Sequence, residues 1–156
     1  MHQITRLENL HELNVSALAF SADGNWVVSV GGDDNHTVIV TDWESGSRIA
    51  IGRGGGNDIH GIRFNPHPEH QLELVQTGAK HSRFWQIDGS SLEIIGPERY
   101  KVTESTYATA FMENGSSVVG QDDGSLYQVR VFPVIRDPYR ARDRQGKARA
   151  EQRAGA

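Results

Sequence analysis

The chain is 156 residues long, with 20 acidic and 16 basic side chains, a formal net charge of −4 and no cysteine. That is the length and mixed composition of one ordinary domain, and it excludes a disulfide framework. No apolar run approaches the roughly 18–20 residues of a membrane span, and the N-terminal MHQITRLENLHE lacks the apolar core of a signal peptide, so a soluble, cytosol-leaning chain without membrane contact is expected.

Charge is unevenly placed. Residues 1–129 hold 8 Lys+Arg against 17 Asp+Glu, and residues 130–156 hold 8 against 3. The body is acidic and the tail basic.

In chain order, Gln3 to His11 has the spacing of the outermost strand of a blade that precedes the first complete one. Residues 15–21, 26–31, 37–43 and 47–51 then read as four short strands, with a turn at Asp23-Gly24. The glycine run Arg53-Gly54-Gly55-Gly56-Asn57 follows. It lacks the spacing of a phosphate-binding loop and precedes a strand, so it reads as a flexible link between blades.

A second set begins with IHGIRF at 59–64 and passes through the loop NPHPEHQ, where Pro66 and Pro68 stop strand pairing. Strands over 73–77, 83–87 and 92–95 complete it, with Ala79-Lys80-His81-Ser82 as the reversal between the first two. A third set runs from Thr106 to Val129, with turns at Asn114-Gly115 and Asp123-Gly124. Val131 to Ile135 offers it a short fourth strand, confined to an edge by Pro133.

The three sets keep phase. Phe20 to Phe64 is 44 residues, Phe64 to Phe111 is 47, and Trp43 to Trp85 is 42. A period of about 40–45 residues carrying four short strands is that of propeller blades. It predicts an all-β fold of about three four-stranded antiparallel blades, open rather than closed into a ring. Phe20, Trp43, Phe64, Trp85 and Phe111, recurring with the repeat, are expected in the inter-blade core. Trp26 breaks phase and is a candidate partner contact.

FNPHPEH and VQTGAKHSRFW together resemble the FNP and VTCGKxHIxFW signature of the echinoderm microtubule-associated protein-like family, a branch of the WD40-repeat proteins. The preceding segment, VSALAFSADGNWVVSVGGDDNHTVIVTDWESG, and the following AFMENGSSVVGQDDGSLYQV are similar to that family's neighbouring blades in the same order. The resemblance covers about residues 3–129. It implies three consecutive blades of the first of two joined propellers, a cytoplasmic, cytoskeletal setting, and tubulin or microtubules as partners. Val129 stands where the family places Trp. Blade two carries Lys80-His81 where blades one and three have turn aspartates, so the resemblance leaves only Thr77, His81 and Trp85 of the usual side-chain hydrogen-bond network.

The resulting division is residues 1–14 as an outer strand of a preceding blade with its linker, repeats at about 15–57, 58–104 and 105–135, and a tail at 136–156. A partial ring leaves apolar faces before Val15 and after Val129, to be covered by self-association or by another chain. The tail is rich in Arg, Ala, Gln and Gly and reads as disordered. One reading makes it a solvated end. The other makes Arg136, Arg140, Arg142, Arg144 and Lys147, with Arg149 and Arg153, contacts for a polyanion such as tubulin's acidic surface. Without interleaved aromatics, nucleic acid is the weaker choice.

No catalytic, cofactor or metal site is expected. His67-Pro-Glu-His70 has suggestive spacing but no further ligands, and Asp33-Asp34-Asn35 and Asp122-Asp123-Gly124 do not fit a calcium loop. Neither a GxSxG serine nor a cysteine nucleophile occurs. Two functions remain: a non-enzymatic microtubule-binding propeller, or a general WD40 adaptor that scaffolds a signalling or ciliary complex without touching tubulin.

Overall fold

The computed structural model of the chain describes residues 6–95 and 104–130. Eleven strands follow in order: β1 (Val15–Phe20), β2 (Trp26–Gly31), β3 (Thr37–Asp42), β4 (Arg48–Arg53), β5 (Ile59–Phe64), β6 (Glu73–Gly78), β7 (His81–Asp88), β8 (Ser91–Ile95), β9 (Thr106–Phe111), β10 (Ser117–Gln121) and β11 (Leu126–Val129). A single 3-10 turn, Pro68–His70, interrupts the loop before β6.

Strands β1–β4 and β5–β8 are two antiparallel four-stranded blades. Their outer strands meet in one parallel bridge between Ile51 and Ser91, and their inner strands β1 and β5 lie side by side. Strands β9, β10 and β11 form the third blade, in which three strands fall among the described residues. Residues 131–135, with the fourth strand expected there, lie outside the described residues, as does the basic tail.

Side-chain alternation gives each blade two faces. The trailing face of blade one is Ala17, Ala19, Val28, Val30, Val38, Val40 and Ala50. It packs against Ile62, Phe64, Leu74 and Trp85 on the leading face of blade two. The trailing face of blade two, with Val75, Phe84 and Ile95, packs against Val119, Val129 and Phe111 of blade three. Burial of each large aliphatic side chain contributes about 1.5–3 kcal/mol, so these two interfaces hold the stack together.

The expected strand over Gln3–His11 is not formed in its described part. Residues 6–14 are irregular, because a fourth strand needs three inner strands beside it and the described residues before Val15 supply none. The segment instead lies across the leading face of blade one. His11 Nε2 is 2.8 Å from Ser29 Oγ, and Leu7 and Leu10 are half-buried.

Candidate interaction surface

Strand register aligns the first strands of the three blades, so Leu18 corresponds to Ile62 and Phe20 to Phe64. Ile62 and Phe64 are 3% and 6% exposed, but Leu18 and Phe20 are 63% and 54% exposed. The chemistry is the same and the difference is the neighbour, since blade two has a blade against its leading face and blade one does not. Phe20 is therefore not inter-blade core as expected. It meets Trp43 edge-on, with ring centroids 6.1 Å apart, on an open apolar face beside the residue 6–14 segment.

Trp43 is half-buried just beyond β3, and it is not the structural counterpart of Trp85. Trp85 pairs with Leu74, whose register equivalent is Val27, and Val27 pairs with Thr41. Phe64 and Trp85 are buried in the first interface, and Phe111 is half-buried against the second. Trp26 is half-buried too, packed beside the blade-one core with its amide bonded to Ser21 Oγ at 2.9 Å. The candidate contacts Arg136, Arg140, Arg142, Arg144 and Lys147 lie outside the described residues.

At the other end of the stack, the trailing face of blade three presents Ala108, Ala110 and Leu126, the last 75% exposed. The stack therefore has two uncovered apolar faces among the described residues. Between the inner strands runs an open groove of about 510 Å3, lined by Leu18, His60, Arg63, Thr77, Tyr107 and Thr109. There His60 stacks on Tyr107, centroids 4.3 Å apart and nearly parallel, and its Nδ1 is 2.9 Å from Thr106 O, so this nitrogen carries the proton.

Two polar hubs fix the blades to one another. In the first, Trp85 Nε1 donates to Gln76 Oε1 at 3.0 Å, and Gln76 Nε2 donates to Gly54 O at 2.9 Å and contacts His81 Nε2 at 2.7 Å. His81 Nδ1 is 3.0 Å from Ala79 O. Arg83 reaches over Gly55 to donate to the carbonyls of Gly54 and Arg53. A Cβ on Gly55, whose φ is +96°, would lie 2.6 Å from that guanidinium, so only glycine lets it settle there.

The glycine run is thus a bonded seam. Its carbonyls accept from Gln76, Arg83 and His36, and the amides of Gly54 and Gly55 donate to His36 O and Asn35 O. With those two amides occupied, they are unavailable to an anion.

The second hub is Thr106, at the start of blade three. Its Oγ1 donates to His81 O at 2.6 Å and accepts from Gly78 N and Ser82 Oγ, both at 3.1 Å. Asn65 Nδ2 adds a bond to Gly115 O at 2.9 Å. Thr106 and Gln76 both escaped the sequence reading. Gln76 was findable, because alternation from Trp85's partner Leu74 puts Gln76 and not Thr77 on Trp85's face. Thr77 faces the other way, toward Gly61 O at 3.5 Å.

The hairpin turns of blades one and three are closed by aspartates. Asp33 accepts from Asn35 N at 3.0 Å, and Asp123 accepts from Ser125 N at 2.8 Å. His67 and His70 sit 5.2 Å apart, and His70 Nδ1 is 2.8 Å from Glu73 Oε1. Among the described residues no group of three or more His, Cys, Asp or Glu side chains is placed to hold a metal ion. Nor is any helix there long and apolar enough to cross a membrane.

No protein-family model matches the chain. Among curated proteins it is 33% identical over 121 residues to echinoderm microtubule-associated protein-like 4 of Xenopus tropicalis, a match covering 74% of this chain and 13% of that protein. It is 27% identical over 117 residues to echinoderm microtubule-associated protein-like 2 of Mus musculus, covering 72% and 18%. The chain thus spans less than a fifth of the length of these relatives.

Among solved structures it resembles the β-propeller domain of Cps50 (Swd1) from Myceliophteria thermophila, with a TM-score of 0.57, 16% identity, and coverage of 74% of this chain and 38% of that one. A chain of the Mitotic Checkpoint Complex matches with a TM-score of 0.60 and 18% identity, covering 79% and 38%. With three blades in register and these likenesses, the chain has the fold of β-propeller blades and is similar in sequence to the echinoderm microtubule-associated protein-like proteins.

Proposed function

We propose that the chain is a non-catalytic docking element that binds tubulin or microtubules through a propeller surface, in a cytoplasmic, cytoskeletal setting. The observation that carries this reading is the similarity, over about three quarters of the chain, to proteins named as microtubule-associated. The acidic body disfavours purely electrostatic docking on an acidic lattice, which leaves packed apolar surface or the basic tail as the source of affinity.

Co-sedimentation with stabilised microtubules across a salt series separates these sources, using the full chain and a version ending at Arg130. Pelleting of both versions, with little salt dependence, is expected for a blade-borne surface. Pelleting of neither, with the protein folded, overturns the tubulin reading. Binding lost on truncation or at moderate salt moves the contact to the basic tail.

The two uncovered apolar faces favour a second reading, a WD40 adaptor that joins other proteins without touching tubulin. They equally support self-association or a second chain covering the open blade faces.

A further inference from the structure

We propose that His81 is a pH-gated latch, which when neutral locks the seam between blades one and two and when protonated releases it. Its bonding partners determine its protonation. Ala79 O can only accept, so His81 Nδ1 carries the proton and Nε2 of the neutral ring is an acceptor facing the Gln76 amide. The orientation of that amide is fixed twice over, because the Trp85 indole N–H requires the oxygen on one side and Gly54 O requires the nitrogen on the other.

A second proton on the imidazole would put N–H against N–H. Flipping the Gln76 amide does not repair this, since it would set the amide nitrogen against the Trp85 N–H and the amide oxygen against Gly54 O. The imidazole has no room to turn aside either, for a Cβ on Gly78 would lie 2.3 Å from its Cε1 and the ring packs directly on that backbone.

The charged and titratable groups around the ring favour the neutral form. Burial is the largest effect against a positive charge at His81, the bond to Ala79 O works the other way, and Arg83 from β7, His60 from β5 and His36 from the β2–β3 turn add to the effect of burial. Lys80 beside it in the turn is exposed, Asp58 contributes its backbone carbonyl to Ala79 N, and Thr106 from β9 is neutral. Gly54 O also accepts from Arg83, and His81 O accepts from Thr106, so opening the ring of bonds loosens the glycine seam first and the blade-three junction next.

The test is amide hydrogen exchange and NMR on the full chain between pH 8 and pH 5, with exchange corrected for its intrinsic pH dependence. Protection of the Gly54 and Gly55 amides is expected to be lost as pH falls below 6.5, in step with the Trp85 indole resonance and the His81 ring. His36→Gln and His60→Gln should retain that loss, and His81→Gln, which accepts the Gln76 amide at every pH, should abolish it. Gln76→Glu should reverse its sign, because a carboxylate accepts from protonated Nε2. Protection that does not change with pH in the unaltered chain overturns the proposal, as does a pH response that survives His81→Gln or keeps its sign in Gln76→Glu.

Discussion

A buried primary amide is tolerated when both of its ends are bonded, and Gln76, fully buried, meets that condition through Trp85, Gly54 and His81. Gln76→Leu keeps the volume and strands the Trp85 N–H and the Gly54 carbonyl, which should cost about 1–3 kcal/mol for each group left unpaired. Denaturant unfolding measures it, and a loss below 0.5 kcal/mol would mean the amide contributes packing alone. Acid sensitivity should come in two stages. His81 titrates below its ordinary value, mainly through burial, so its folded form binds fewer protons than its unfolded form. Its stabilisation is complete above pH 6.5 and is lost as pH falls from there toward the folded value. Asp23, Asp42 and Asp123 lie below the ordinary carboxylate range because Ser21, Ser45 and Ser125 respectively donate to them. Their contribution is present above about pH 3.8 and lost beneath it, so urea midpoints should decline first below pH 6.5 and again in strong acid. His81→Gln should remove only the first decline. Trp85 and His81 were legible in the sequence as an aromatic and a turn histidine. Their connector was not, because glutamine carries no strong strand or turn preference and only the alternation of β6 reveals it.

Strands were the most legible elements, since runs such as WVVSVG and TVIVTD combine β-branched side chains with turn residues at both ends. Residues 6–14 differ from the sequence expectation for a physical reason: their pattern suits an outer strand, and strand formation depends on a neighbour the pattern cannot report. The 42-residue tryptophan spacing is two short of the 44-residue Phe20–Phe64 spacing, which places Trp43 off the Trp85 position. Two residues is one full side-chain repeat along a strand, enough to carry Trp43 past the end of β3. Junctions between blades went largely unseen because single polar residues make them. Thr106→Val retains shape and removes the hydroxyl that serves Gly78 N, Ser82 and His81 O, and it should cost about 1–3 kcal/mol. Exchange at Gly78 should rise with it, and unchanged exchange would relocate the junction to Asn65 and the apolar contacts. Leu74→Ala, at the centre of the larger interface and 1% exposed, should cost about 2–5 kcal/mol by denaturation.

Among the described residues the stack is two packed interfaces between a leading face that residues 6–14 cover in part and an open trailing face. Its repeat could be read from the phase of Phe20, Phe64 and Phe111, but which phenylalanine would be exposed could not. Phe20 and Phe64 occupy the same register position and differ only in whether a blade lies against them. Residues 6–14 cover part of the leading face, and Leu18, Phe20 and Leu126 stay open. Replacing an exposed apolar side chain by lysine should leave folding stability within about 0.5 kcal/mol while removing its attraction for another surface. The most direct measurement is light scattering coupled to size exclusion across a concentration series, on the full chain and on Leu18→Lys and Leu126→Lys. Open blade faces predict concentration-dependent association that either substitution reduces without lowering the unfolding midpoint. A monodisperse monomer at every concentration, with a sharp unfolding transition and no change on substitution, would contradict the picture of an open stack whose ends seek a partner.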